Sequence, residues 1–358
     1  MSEPITGRKP RTDPVGGSSL RGGRPPRGAA GPAVAADADR GTLLQRLRVV
    51  LLTAVAWIAS HLPEGLVIRV ADLAGLVWYH STPARAARAR RHLARVAMVL
   101  AERGTGSTRA RAAATDPKAL ERLVRAAYQH AARYYLEVIR TPRMTARWMR
   151  ERVLIETPDV VDEAFESGGA VVFVGMHFGA IELPALYLAR RSGRRVSGPM
   201  ETVGDPALQR WFVRTRGALG VRILGLREAR RELLAALRAG ESIGIVGDRD
   251  INGRGVSIDL FGHPAPLPVG PALLAIESGA PVYLAAVRRD GPGRYRARVA
   301  RIEVPTEGTR RERVEGTLRH LAAGFETAIA DAPEQWWAVF HPIWPDLDDD
   351  PAGSAVER

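Results

Sequence analysis

The sequence predicts an α/β protein: a mostly parallel central sheet flanked by helices, with an N-terminal apolar, membrane-associating helical region. Three observations lead there. From Asp159 onward helical and strand-like segments alternate, the pattern of parallel strands covered by crossover helices. The strands are short, β-branched and bounded by glycine, as in Ala170 to Val174 between Gly168-Gly169 and Gly175. Near the N-terminus, Val49 to Pro63 carries no Asp, Glu, Lys or Arg.

Residues 1–40 are Gly, Pro, Ala and Arg with almost no large apolar side chain, and they read as a disordered basic tail. They contain no apolar core of a secretory signal. Residues 41–150 form the helical region. Its charge-free run holds Leu51, Leu52, Val55, Trp57 and Ile58 but, at 15 residues, falls short of the ~20 that span a bilayer. A second apolar run, Leu73 to Tyr79, ends in Trp78-Tyr79 and precedes Arg85, Arg88, Arg90, Arg91 and Arg95. Apolar helices edged with aromatics and arginines suit an anionic membrane surface; the alternative is a helical subdomain packed on the core. Residues 103–115 read as an exposed loop. Leu120, Leu123, Val124, Ala127, Ala131, Tyr134 and Val138 then recur at helical spacing, and Tyr128, Tyr134 and Tyr135 read as core or groove wall.

Residues 151–345 hold the α/β core. The expected order is helix 159–167, strand 170–174, helix 179–191, strand 195–198, helix 205–219, strand 221–224, helix 227–239 and strand 242–246. An extended segment 256–261, helix 269–278, strands 281–287 and 294–304, and helix 310–330 follow. Residues 346–358 read as a loose acidic tail.

The chain has 358 residues, no cysteine and a formal charge of +13, carried almost entirely by arginine. Disulfides and thiolate metal sites are excluded, and the surface favours polyanions or anionic lipid. The arginines lie on helix faces and in the tail without an interleaved stacking platform, which argues against nucleic-acid binding.

The chemistry centres on His177, in the loop at the carboxyl end of strand 170–174, where open α/β sheets bind ligands. Glu182 stands five residues on, in the first turn of the next helix. With His177 outside that helix, Glu182 can reach back to one ring nitrogen, fixing the tautomer and raising the basicity of the other. The alternative is a loop contact and a helix cap. A second constellation, Gly247-Asp248-Arg249-Asp250, also ends an apolar strand, and Arg249 there can hold a phosphate or an oxyanion; the alternative is an Asp/Arg network that holds the turn together. Its carboxylates lack the partner spacing of a metal site, and no metal is expected.

Several apparent motifs fail on context. Gly240-Glu-Ser242-Ile-Gly244 matches a nucleophile elbow, but the strand follows the serine instead of preceding it. His263, before Pro264-Ala-Pro-Leu-Pro268, reads as a turn residue leading into a helix. His341 belongs to a C-terminal aromatic cluster, Trp336-Trp337-Ala-Val-Phe340-His341-Pro-Ile-Trp344, that closes the core.

Taken together, His177-x4-Glu182, Gly247-Asp248-Arg249-Asp250 about seventy residues later, Leu260-Phe-Gly-His-Pro264 to Gly270-Pro271, and Pro333-Glu-Gln-Trp-Trp337 resemble the lipid A lauroyl/myristoyl acyltransferase family. Its actinobacterial branch contains the phosphatidylinositol mannoside acyltransferases. The resemblance runs from about Leu43 to Trp344. It implies O-acyl transfer from acyl-CoA or acyl-carrier protein as co-substrate, without a cofactor, to a hydroxyl of a membrane glycolipid. His177 would be the general base and Glu182 its partner, with no acyl-enzyme. Asp248, Arg249 and Asp250 would bind substrate near the donor, and Glu201, in Met200-Glu201, on the acceptor side. A monomer on the cytoplasmic face of the cell membrane, peripheral or monotopic, is expected. The composition favours a phosphatidylinositol mannoside acceptor; the alternatives are a lipid A type acceptor with carrier protein, or a catalytically silent scaffold. Glu307-Gly-Thr-Arg310 reproduces a phosphate-binding tetrapeptide of more distant acyltransferases, but it lies too far along the chain and reads as coincidence or a helix cap.

Overall fold

The computed structural model describes residues 42–141, 144–166, 168–192, 195–201, 203–218 and 220–347; the basic tail and most of the acidic tail lie outside them. Helices α1 (Leu43–His61), α2 (Glu64–Ser81), α3 (Pro83–Glu102), α4 (Thr108–Ala112), α5 (Pro117–Arg140) and α6 (Ala146–Arg152) come first. The sheet follows: β1 (Val153–Ile155), α7 (Pro158–Glu166), β2 (Val172–Gly175), α8 (Glu182–Ser192), β3 (Val196–Met200), α9 (Pro206–Gly217), β4 (Val221–Gly225), α10 (Leu226–Arg238) and β5 (Ser242–Val246). A hairpin of β6 (Val256–Leu260) and β7 (His263–Leu267) precedes α11 (Gly270–Ser278), β8 (Val282–Arg289), β9 (Tyr295–Ile302) and α12 (Arg310–Asp331).

The seven-stranded sheet runs β1-β9-β8-β2-β5-β3-β4, parallel throughout except for the β8/β9 pair, as the alternation of elements predicts. β2 and β5 lie side by side at its centre, with Gly175 opposite Val246. Alternate residues of β2 feed two cores. Val172 and Val174 join the large core with α3, α5, α10, α11 and α12, while Phe173 joins the smaller one with α7 and α8. The helices ahead of the sheet therefore share one continuous core with it. Leu93, Leu100 and Leu123 are at most 2% exposed there, each contributing about 2 kcal/mol by leaving water. Close contact of α2 with α5 depends on Gly75, where a Cβ would stand 2.7 Å from the α5 backbone.

α1 and α2 differ from this. Leu43, Leu51, Trp57, Leu66, Val70 and Leu73 are exposed, with Trp57 at 65%. α1 begins at a capping box, Thr42 with Gln45, earlier than the charge-free run suggests. At 19 residues it is long and apolar enough to cross a membrane, with 11% of its apolar window buried. The arginines of α3 are largely engaged within the protein: Arg90 with Glu121, Arg91 with the Leu347 carbonyl, and Arg95 with Asp346.

Three local expectations are corrected. Residues 103–115 contain α4, capped by Ser107 and buried at Ala110, because the chain must fold back against α12 there. His263 does not sit in the turn; it starts β7, paired with Leu260, and the alternating Pro264 and Pro266 leave enough backbone for a two-stranded ribbon. Residues 345–347 form a short 3-10 turn held by Arg95 on Asp346, so the acidic end begins anchored. Thr309 caps α12 through Glu312, which makes the Gly308-Thr309 region a helix cap.

Candidate active site

β2 and β5 end side by side, and the two residues beyond each end, His177 and Asp248, meet. His177 Nδ1 lies 2.7 Å from Asp248 Oδ1, and the His177 backbone N–H donates to Oδ2 at 2.9 Å. The Trp336 indole N–H donates to the same Oδ2 at 2.8 Å. Asp248 is 2% exposed. Burial opposes its charge, but the positive form of His177, the histidine hydrogen bonds and the Trp336 bond outweigh it and hold the carboxyl below the usual range. An ionised carboxylate only accepts, so the proton between the two sits on Nδ1. Nε2 is left as the basic nitrogen toward the cavity that His177 lines.

This corrects the pairing expected from spacing. Glu182 is the first residue of α8, and both its oxygens are held by the Arg216 guanidinium from the end of α9, one of them at 3.2 Å from Nε. The intervening loop is pinned elsewhere: Phe178 bridges to Trp336, Gly179 N–H donates to the Gln335 carbonyl and Ala180 N–H to the Val287 carbonyl. Gly179 has φ +51°, and a Cβ there would lie 2.0 Å from the Val287 oxygen, so this position requires glycine. Arg289, buried and paired with Glu137, donates to the Gly179 carbonyl from beneath. The loop thus carries Glu182 away from His177. The Tyr134 phenol, raised by burial and then by the Glu182 charge, completes a group with Glu182 and Arg216.

The other expected site residues separate. Asp248 is withdrawn behind His177 and, unlike Arg249, Asp250 and Glu201, does not line the cavity. Arg249 pairs with Glu201 at 2.8 Å, and both line the cavity. Asp250 lines it too, but its oxygens accept from the Asn252 and Gly255 backbones and so build the loop. Sequence reasoning missed Trp336 as a partner of Asp248 and assigned the C-terminal aromatics to core closure alone. Trp337 packs edge-on against His177 at 4.6 Å and stacks on Tyr134 at 4.7 Å. The available sign was the parallel spelling Val174-Gly-Met-His177 and Val246-Gly-Asp248, two strand ends of similar form that adjacency brings together. His341, half-buried nearby and facing Arg249 and His177, has its pKa lowered to about 3, chiefly by desolvation and then by those charges.

The cavity measures about 700 Å³ and is lined mostly by apolar side chains, from the carboxyl ends of the strands back to Val196 and Val221, with His177, Glu182, Arg216, Glu201 and Arg249 among its polar groups. That is the composition of a site for a long apolar ligand with a reactive polar end. Among the described residues, no cluster of three or more His, Cys, Asp or Glu could hold a metal.

The chain is similar to known proteins over most of its length. The family model for bacterial lipid A biosynthesis acyltransferases matches residues 39–345. The chain is 31% identical over 237 residues to a phosphatidylinositol mannoside acyltransferase of Mycolicibacterium smegmatis, covering 64% of this chain and 74% of that protein. It is also 31% identical over 175 residues to the protein of the same name from Mycobacterium tuberculosis, covering 47% of this chain and 54% of the relative. The chain belongs to the bacterial lipid A biosynthesis acyltransferase family and is an acyl-transferring enzyme.

Proposed function

We propose that this enzyme transfers a fatty acyl group from acyl-CoA to a hydroxyl of a phosphatidylinositol mannoside, with His177 as general base and Asp248 as the group that holds it. The observation that carries this reading is the His177–Asp248–Trp336 chain of hydrogen bonds opening on a large, mostly apolar cavity. The names of the similar mycobacterial proteins favour the mannoside acceptor.

In this reading His177 Nε2 takes the proton of the acceptor hydroxyl as its oxygen attacks the thioester carbonyl. Asp248 stabilises the imidazolium that forms. Collapse of the tetrahedral intermediate breaks the C–S bond, and the same proton passes from Nε2 to the departing thiolate. No cysteine exists in the chain, and no covalent intermediate is needed. Arg249 and Glu201, at the cavity rim, meet the phosphate and hydroxyl groups of the two substrates. Glu182 fixes Arg216 inside the cavity, where the guanidinium faces the reacting carbonyl.

In this reading the enzyme works on the cytoplasmic membrane surface, where both lipid substrates are available, and the exposed apolar faces of α1 and α2 support it. Packing of α1 against α9, with Arg48 on Asp205 at 3.0 Å, favours a helix lying on the membrane over one crossing it.

The test is lipid mass spectrometry after incubating purified enzyme with palmitoyl-CoA and a panel of glycolipid acceptors. Acylated phosphatidylinositol mannoside is expected, and His177→Ala should lose turnover by roughly 10⁴-fold or more with the fold intact. Transfer to lipid A precursors alone would reassign the acceptor. Absence of histidine-dependent transfer to any acceptor would overturn the reading.

A further inference from the structure

The face of the central strands beneath α8 is lined by glycine where a buried sheet normally carries branched side chains. Phe173 of β2 stands in register with Gly244 of β5. Val196 and Ser197 of β3 pair with Ser242 and Ile243, so Gly198 falls beside Gly244, and Ile223 of β4 is opposite Gly198. Residues in register across parallel strands share a face, which gives a row Phe173, Gly244, Gly198, Ile223 across four strands. Gly175 stands on the same face, one step nearer His177. Gly198 is required by the close approach of β3 to β5, since a Cβ there would lie 2.9 Å from the Gly244 carbonyl oxygen, whereas a Cβ on Gly244 would meet no heavy atom within 4 Å and one on Gly175 would approach only Ile181, at 4.0 Å. Glycine inside a strand weakens it, and a common reason for it is the close approach of a ligand. The cavity occupies this space, with Gly175, Gly198 and Gly244 in its lining.

We propose that these glycines form the floor of a trough for the acyl chain, and that Gly244 and Phe173 determine the length of the acyl group transferred. The inference rests on the acyl-transfer reading above and extends it to chain selection. The trough begins at His177 and reaches Val196 and Val221. Val196 pairs with Ser242, one residue before the partner of Val172, so it lies at the level of Val171. The four residues of β2 and the loop residues Met176 and His177 span the distance from that level to the histidine, at most about 20 Å. A zigzag methylene chain advances about 1.25 Å per carbon, so about sixteen carbons fill this length. Gly244, level with Phe173, lies about 13 Å from the histidine, or about ten carbons along the chain.

Phe173 is the side wall. Its ring packs on Tyr283 and Phe165 at centroid distances of 5.8 and 6.4 Å. Beyond it, on the same face, lies a second apolar cavity of about 50 Å³ lined by Val161, Tyr187 and Val287 among others. Phe173, Pro184, Leu188 and Ala285 border both spaces, so the aromatic ring is part of the partition that keeps the acyl tail in one course.

The experiment uses Gly244→Val, with Gly244→Ala as the milder variant. Valine suits a strand and has open space here, so thermal unfolding should show an intact fold. Two readouts run over a series of saturated chains from short to long: transfer from the acyl-CoAs, and displacement of a fluorescent fatty acid from the enzyme without acceptor. Each buried methylene contributes roughly fourfold in affinity, so displacing even three of the six or so carbons beyond Gly244 lowers long-chain binding by roughly 50-fold, with chains of about ten carbons little affected. Alanine should give a smaller shift in the same direction, and Phe173→Leu should extend acceptance toward longer or branched chains. A folded Gly244→Val protein with unchanged length profiles in both readouts would overturn the proposal. A shift in the displacement series alone, with no transfer by the unsubstituted enzyme, would support the trough while refuting the acyl-transfer reading.

Discussion

Two carboxylates approach the cleft, Asp248 from the end of β5 and Glu182 from the start of α8, and their surroundings assign them different work. Asp248 is sealed from solvent, touches His177 twice and is braced by Trp336. Glu182 remains in the cavity wall with its charge matched by Arg216, and the Tyr134 phenol lies beside the pair. The first arrangement orients one ring; the second holds a guanidinium in the cavity wall. Proximity in sequence thus misleads here, while proximity across adjacent strands decides which carboxylate holds His177.

The sharpest way to separate the two is Asp248→Asn. The two N–H donors at Oδ2 hold the amide oxygen in that position, which turns the amide NH₂ toward Nδ1. Nδ1 must then accept, the ring proton moves to Nε2, and the base is lost. Turnover should fall by roughly 10⁴-fold with the fold retained, measured as kcat for acyl transfer. Glu182→Gln leaves the ring pairing intact and loosens Arg216; a loss of roughly 10²-fold is expected from misplacement of the substrate. Equal losses in both variants, with the same ring protonation, would erase the distinction.

A smaller effect comes from pH and stability. His130 and His341 are both held neutral in the fold, their pKa values lowered first by burial and then by neighbouring arginines. The unfolded chain binds those protons below about 6.5 while the folded chain refuses them, so stability should fall as pH drops below that value. The slope approaches about 1.4 kcal/mol per pH unit for each proton. His341→Gln should remove one of the two contributions, read from denaturant unfolding between about pH 4 and 6. Asp248 acts in a different window. Its lowered pKa stabilises the fold above the usual carboxyl value, and that contribution is lost only as pH falls through the lower folded value.

Much of the fold was legible because it is written in local pattern. The β5 boundaries, the order of helices and strands, and the placement of His177 at a strand end all follow from periodicity and glycine punctuation. What was not legible depends on tertiary neighbours. Nothing local says that β2 and β5 are adjacent, so the pairing of His177 with Asp248 could not be read from an interval of about seventy residues. The buried brace of Trp336, the role of Gly179 and the departure of Glu182 toward Arg216 are likewise set by packing of the C-terminal turn against the loop after β2. The ribbon at His263 was missed because two prolines mask strand character on a hairpin outside the main sheet.

The central claim, that Asp248 and not Glu182 sets the state of His177, is tested most directly by nitrogen NMR of the imidazole ring in enzyme labelled at histidine. At a pH where the ring is neutral, the proton should reside on Nδ1 in the unsubstituted protein and in Glu182→Gln, and move to Nε2 in Asp248→Asn. A ring whose proton stays on Nδ1 in Asp248→Asn, but moves in Glu182→Gln, would contradict the account.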